Sequence, residues 1–378
     1  MRPELFRIPF IHFPVPGYGA MIVIAFLGGT WWMTRRAAKV KCDPDAVLSL
    51  ALLALVFGWL GGRLFYVIHY WRTQFSHQPW QVINLTAGGF EVYGGVLLAA
   101  AVCIVYLFIR RLPVRLYADL TAPTLMFGMG VGRIGCFLVG CCFGATCPAW
   151  LPWGVQFPAL SNAQTEQWED RTASLPAELI IVTPSGLGLP VPHEILKMSD
   201  ADLVRMKAKL TGMDADIDRA RHSGNALSLE KTLAQRDYLE SFIEHMDRFN
   251  VRPADLRALA ERPEFKSAPV HPAQVYSAIG PILLAWVLNA YFYRRTRHGT
   301  VMALAMILYG IERFIEEITR ADNPIDTFGL TISQGVSVAV VAGGILWWMI
   351  LQKMPLRSNR PGIAPKNHPP APPGSLPA

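Results

Sequence analysis

Seven apolar stretches, near residues 17–34, 46–70, 90–109, 118–142, 272–292, 299–319 and 329–351, constrain the fold of this chain more than any other feature. Each is close to the ~20 residues that a helix needs to cross the hydrocarbon core of a bilayer. Backbone groups in hydrocarbon must satisfy one another, so segments of this kind fold as helices. In a chain of 378 residues, 52% hydrophobic and 17% charged, they predict an all-α integral membrane protein with seven transmembrane helices. No basic n-region followed by an apolar h-region opens the chain, so no cleavable signal peptide is expected.

Charge placement sets the expected orientation. Arg35, Arg36, Lys39 and Lys41 follow the first span, and Arg110, Arg111 and Arg115 the third. Arg294, Arg295 and Arg297 follow the fifth, and Lys353, Arg357 and Arg360 the seventh. If the spans alternate, these four clusters share one side, which the positive-inside rule makes cytoplasmic. The N-terminus is then external and the C-terminus internal. The net charge of +7 reads as this topology signal, and no basic stripe suggests nucleic acid.

Four segments follow from this topology: spans one to four within residues 1–142, an external insert over 143–270, spans five to seven within 271–351, and a Pro-rich tail over 352–378 expected to be disordered. The first part of the insert, rich in Pro, Trp and Gly, reads as irregular. Leu203, Met206, Leu210, Met213 and Ile217 then repeat at spacings of three and four, one stripe of a helix. Ser199 is its expected N-cap and Ser223-Gly224-Asn225 its stop. Leu229, Leu233, Leu239, Ile243 and Met246 mark a second helix, so the insert should contain an antiparallel helical hairpin.

One guanidinium interrupts the fourth span, in Leu125-Met126-Phe127-Gly128-Met129-Gly130-Val131-Gly132-Arg133-Ile134-Gly135. A charge at the centre of a spanning helix costs about 2.5 kcal/mol or more, so it is normally retained for a purpose. The surrounding glycines admit a second backbone or a ligand. The planar donor fork of Arg133 suits a phosphate, and the competing reading is a structural arginine paired to a neighbouring helix. Arg63, within Gly61-Gly62-Arg63-Leu64, is another intramembrane arginine. Further polar groups gather at the same ends of the spans: Tyr18, then Glu91 and Tyr93, then His271, Gln274 and Tyr276, then Tyr309, Arg313, Glu316 and Glu317. Tyr309, Arg313 and Glu317 are spaced i, i+4 and i+8 and share one helix face.

A Glu–Arg pair can neutralise itself structurally. Three arginines with few buried carboxylates would nevertheless leave positive charge for an anionic lipid headgroup. His271 is either a base titrating near pH ~6.5 or an interfacial cap of the fifth helix. Tyr18, Tyr93 and Tyr276 either line a site or belong to the aromatic belt. A transporter or anion pore would carry polar groups through to both faces, whereas the cytoplasmic halves of these spans are almost wholly apolar. Of six cysteines, Cys136, Cys141, Cys142 and Cys147 fall together after Arg133. A disulfide, with Cys142 and Cys147 the pair to test, and plain packing are both open. A metal site is possible, but the spacing matches no zinc pattern and no histidine is adjacent, so no metal is assigned; catalytic thiol chemistry is a third option. Cys103 reads as packing within the third span and Cys42 as a cytosolic thiol.

The order of these motifs resembles the prolipoprotein diacylglyceryl transferase family, bacterial membrane enzymes that lipidate lipoprotein precursors. The matching pieces are Tyr18-Gly19, Gly61-Gly62-Arg63, Tyr93-Gly94-Gly95 and Gly132-Arg133-Ile134-Gly135-x-Phe137. They continue with His271-Pro272-Ala273-Gln274-Val275-Tyr276, Tyr309-Gly310-x-x-Arg313-Phe314-Ile315-x-Glu317, and Gln334 at the seventh span. The resemblance implies seven spans in the bacterial inner membrane and no cofactor. It implies phosphatidylglycerol as donor and prolipoprotein signal peptides as acceptors, with a thioether formed on the lipobox cysteine and glycerol-1-phosphate released. By resemblance Arg133 binds the lipid phosphate, and Arg313 and Glu317 belong to an essential polar cluster. Tyr93 is the candidate proton relay, and Tyr18, Arg63, Gly132, Gly135, His271, Gln274 and Tyr309 are candidate substrate-binding residues. Cys136, Val139 and Cys141 stand where the family signature has Asn, Asn and Glu, and Tyr93 stands where it has His. A non-catalytic lipid-binding relative is the alternative these departures raise.

Overall fold

The computed structural model describes residues 4–7, 14–76, 82, 89–183, 186–222, 226–320 and 329–358. Short antiparallel pairs, β1 (Glu4–Arg7) with β2 (Pro14–Pro16) and β3 (Ile180–Val182) with β4 (Gly188–Pro190), are its only named strands among these residues. The rest is helical. The first four apolar segments form α1 (Gly17–Lys39), α2 (Pro44–His69), α3 (Val92–Ile109) and α4 (Val114–Val139). The insert holds α5 (Asn162–Glu169), α6 (His193–Leu196), α7 (Asp200–His222), α8 (Ala226–Phe249) and α9 (Pro253–Ala260). The last three apolar segments form α10 (Ala273–Arg294), α11 (Thr300–Glu317) and α12 (Ile332–Gln352).

The protein is an all-α membrane protein. Among the described residues, α2, α3, α4, α10 and α12 are long and apolar enough to cross a bilayer. Polar ends set α11 apart, because Glu312, Arg313, Glu316 and Glu317 crowd its last turns. α1 is diluted by Tyr18, Trp31, Trp32 and its glycines.

Two compact units divide the chain. The larger contains the helices up to Gly135 and from Val275 onward. Its core, which includes Ala37, Val47, Tyr117, Leu120, Leu288, Phe292 and Val301, lies at the ends of the spans that carry the basic loops. Without a hydrophobic drive in lipid, these helices associate by close packing of small residues. A Cβ on Gly61 would lie 2.5 Å from the Gly94 carbonyl oxygen, and one on Gly95 would lie 2.6 Å from that of Gly58, so α2 and α3 touch backbone to backbone. Gly310 brings α11 equally near α12, where a Cβ would meet Val341 at 2.6 Å and the Ser337 carbonyl oxygen at 3.0 Å.

Charge also contributes to this packing. Asp119 of α4 is fully buried and accepts hydrogen bonds from the backbone N–H groups of Gly299 (2.7 Å), Val301 (2.9 Å) and Met302 (3.1 Å). It thereby caps α11 from another helix, satisfying donors that every helix start leaves open. Arg295 neutralises the carboxylate at 2.9 Å. Arg36, expected in a solvated basic loop, requires a correction. α1 runs on through Lys39, Arg36 is 1% exposed, and its guanidinium donates to the Leu120 carbonyl at 2.7 Å.

The smaller unit holds Cys136–Gln274 with Thr319 and Arg320. Leu179, Ile181, Val191, Phe242, Met246 and Leu256 fill its core. Ser199 caps α7 as expected: its Oγ accepts from the Asp202 N–H, while the Asp202 carboxylate accepts from the Ser199 N–H and hydroxyl. The expected stop at Ser223-Gly224-Asn225 lies outside the described residues. Ion pairs Lys207–Asp247 and Arg236–Asp214 run in opposite senses along α7 and α8, which establishes the antiparallel hairpin.

Candidate functional site

The densest polar cluster of the larger unit forms where α11 ends and α12 begins. Tyr309, Arg313 and Glu317 lie on one face of α11, as their spacing requires. Arg313 reaches Glu317 Oε2 at 2.8 Å and Glu316 Oε2 at 3.5 Å, and its Nη2 donates to the Ser333 hydroxyl at 3.1 Å. Glu317 is 3% exposed, and its other oxygen accepts from the Thr331 hydroxyl at 2.9 Å. Thr331 in turn accepts from the Gln334 N–H, while Gln334 Oε1 accepts from the Thr331 N–H, a reciprocal capping box that opens α12. Gln334 thus has a local structural task. Glu312 packs against Gly280 of α10, where no Cβ could fit.

This arrangement corrects the expectation of few buried carboxylates. Arg313 is already paired, and a buried ion pair of this kind is a positioning device more than a source of net positive charge. Tyr309 lies within electrostatic reach of Arg313, Arg133, Glu316 and Glu312, so the structure brings Arg133 of α4 to the same cluster as Arg313 of α11.

Three glycines fix how α4 presents Arg133. A Cβ on Gly135 would lie 2.9 Å from the Tyr18 ring and 3.3 Å from its Cα, and one on Gly132 would meet Ile22 at 4.0 Å. Both glycines therefore face α1. Gly130 faces α10, where a Cβ would meet the Ala278 carbonyl at 2.8 Å. Gly128 alone faces open space. Arg133 is half-buried, while Tyr18 is 45% exposed.

Arg63 is employed differently from the sequence expectation. It is 6% exposed and donates to the carbonyls of Val82 (3.3 Å) and Gly89 (3.2 Å), with Tyr66 and Phe75 against its guanidinium. It therefore holds the connection between α2 and α3. Tyr93 lies in the first turn of α3 and is 50% exposed. Beside it is a pair that motif reading passed over: His69, ending α2, meets Glu91, the N-cap residue of α3, through Nδ1 and Oε1 at 2.5 Å. The available signal was two polar residues at the facing ends of consecutive apolar spans. In the tautomer that donates from Nδ1 to this carboxylate, Nε2 is the open acceptor.

In the smaller unit, His271 joins the backbone of Gly144 and Ala145 through two 2.9 Å bonds just before α10 begins. Gln274 is fully buried and donates to the Cys141 carbonyl at 2.8 Å. None of the six cysteines is in a disulfide. Cys142, which with Cys147 is the pair to test for a disulfide, groups with Cys136 and Cys141, and the three sulfurs all lie within 4.8 Å of one another. Cys147 is buried against Gly154.

The chain is similar to known proteins over nearly its whole length. The family model for prolipoprotein diacylglyceryl transferase matches residues 3–350. A Rhodopirellula baltica protein named phosphatidylglycerol–prolipoprotein diacylglyceryl transferase is 27% identical over 377 residues, covering 88% of this chain and 71% of that one. One of the same name from Clostridium tetani is 24% identical over 345 residues, covering 91% of this chain and 96% of its own. A third, from Bacillus mycoides, is 34% identical over 126 residues, covering 33% of this chain and 46% of its own.

Proposed function

We infer, from the premise that this chain belongs to the prolipoprotein diacylglyceryl transferase family, that its polar cluster serves transfer of a lipid group to a thiol. The protein is a transferase that moves the diacylglyceryl group of phosphatidylglycerol to the lipobox cysteine of prolipoproteins. In the reaction the thiol loses its proton and the sulfur attacks the glycerol carbon that carries the phosphate. The carbon–oxygen bond to phosphate breaks, a thioether forms, and glycerol-1-phosphate leaves with the electron pair.

The observation that supports this assignment of roles is that Arg133 and Arg313 both lie within electrostatic reach of Tyr309. A phosphate that gains charge as it departs is stabilised by fixed donors more in the transition state than in the substrate. Arg313 is held by Glu316, Glu317 and Ser333, so its position is set before any lipid arrives. Arg133 takes the lipid phosphate, with Gly132, Gly135, Tyr18 and Tyr309 shaping its surroundings. Two groups flanking the α2–α3 connection are positioned to handle the thiol proton: the Tyr93 hydroxyl in the first turn of α3, as a relay, and the His69 imidazole at the end of α2, as an acceptor. By the family resemblance His271 and Gln274 are read as substrate-binding residues, and so is Arg63, which donates to the Val82 and Gly89 carbonyls.

The site faces the outside of the bacterial inner membrane, with the N-terminus external and the C-terminus cytoplasmic. This orientation is supported by the basic residues at the opposite ends of the spans. The insert over 143–270 is then external. Labelling by a membrane-impermeant maleimide at Gly212→Cys, an open position on α7, decides this orientation. The function is tested by incubating the purified protein with phosphatidylglycerol and a lipobox peptide. Thioether product is expected with the cysteine peptide and none with a serine peptide. Absence of product despite bound lipid would favour the second reading, a non-catalytic lipid-binding relative, which the departures at Tyr93, Cys136, Val139 and Cys141 motivate.

A further inference from the structure

The turn that ends α4 gathers three thiols that the transfer reaction does not use. Gly140 (φ +83°) reverses the chain, and the N–H groups of Gly140 and Cys141 both donate to the Cys136 carbonyl, at 2.8 and 3.2 Å. Cys142 then adopts φ +58°, a left-handed conformation that few residues other than glycine occupy. The result is that the sulfurs of Cys136, Cys141 and Cys142 lie within 4.8 Å of one another.

The fully buried side chain of Gln274 donates to the Cys141 carbonyl at 2.8 Å. Two residues beyond Cys142, Gly144 is pinned against His271, where a Cβ would lie 2.8 Å from the His271 carbonyl oxygen. Cys136 itself sits in the last turns of a helix and is only 9% exposed. Packing alone accounts for one buried thiol, as at Cys147. It gives no reason for three sulfurs to converge through a left-handed cysteine.

We propose that Cys136, Cys141 and Cys142 form a three-sulfur site for a soft monovalent d10 cation, the cuprous ion. Thiolate sulfur selects soft metals, Cu(I) and Zn(II) first among those common in biology. Structural zinc takes four ligands almost without exception, whereas only these three sulfurs converge among the described residues. Cu(I) is satisfied by three. Sulfurs about 2.3 Å from a central ion in trigonal array stand about 4 Å apart, so the cluster needs only a small contraction. On binding, the thiols lose their protons to solvent, and no electron is transferred. The site is inferred without reliance on the transfer reaction.

The test uses the full-length protein in detergent, reduced with a phosphine, freed of reductant without air, and titrated with Cu(I) against a chromogenic cuprous chelator. The protein should retain about one equivalent of copper, with copper-edge X-ray absorption reporting three sulfur neighbours. Each of Cys136→Ser, Cys141→Ser and Cys142→Ser should weaken retention by more than the ~100-fold that loss of an outer-shell partner can cause, while Cys103→Ser leaves it unchanged. Thermal unfolding of each variant separates loss of the site from loss of the fold. Failure of the native protein to compete for Cu(I), retention that survives the triple serine variant, or two sulfur neighbours in place of three would overturn the proposal.

Discussion

At the scale of the residue, Tyr93 stands where the family resemblance implies a histidine, and a neutral phenol can relay a proton but is a poor acceptor of one. The His69–Glu91 pair beside it has the geometry of an oriented base, with the carboxylate fixing which nitrogen is open. If the imidazole takes the thiol proton, His69→Asn lowers kcat by about 10²–10⁴-fold and Tyr93→Phe changes it far less. Measuring kcat for both variants decides the matter, since the reverse order assigns the proton to Tyr93. Arg313 and Glu317 were recognisable from sequence because i, i+4 and i+8 spacing is a property of any helix. Their partners Ser333 and Thr331 were not, because nothing in local spacing records how the start of α12 meets the end of α11. Arg63 shows the same limit. A buried arginine near a glycine pair reads as anion-binding, and only the structure shows that two of its donors reach the carbonyls of Val82 and Gly89.

At the scale of the element, all seven apolar segments became helices close to their expected bounds, because hydrocarbon permits little else. The hairpin of α7 and α8 was equally legible, its N-cap Ser199 included. Asp119 was invisible: an aspartate in the first half of an apolar span gives no hint that it caps a helix some 180 residues later. Because its carboxylate meets Arg295 and three backbone N–H groups with no exposed surface, Asp119→Ala should cost about 3–5 kcal/mol of stability. Asp119→Asn, which keeps an acceptor, should cost less. Thermal unfolding in detergent measures both, and an alanine variant as stable as the parent would refute the role. The glycine motifs were legible as places of close approach, but only the structure shows that Gly61 and Gly94 meet each other.

At the scale of the whole molecule, the buried core lies toward the basic loops and the polar cluster lies at the other ends of the spans. One titrating group belongs to the core end. Burial, with help from Arg295, Arg115 and Arg357, pulls His298 down from 6.5 to about 4. Between those two values the unfolded chain binds the proton and the folded chain does not. Stability therefore rises with pH across that window and is lost as pH falls. The unfolding midpoint should drop on acidification from pH ~6.5 to ~4, and the drop should shrink in His298→Asn; an unchanged slope would assign the acid sensitivity elsewhere. The central claim concerns the opposite end of the spans, where Arg133 takes the phosphate of the donor lipid. Its most direct measurement is release of glycerol-1-phosphate during transfer from phosphatidylglycerol to a lipobox peptide, compared between the native protein, Arg133→Ala and Arg133→Lys, all inserted normally. Losses of about 10²–10³-fold in both variants are expected, because a lysine cannot reproduce the planar fork. Near-native transfer by Arg133→Ala would contradict the account.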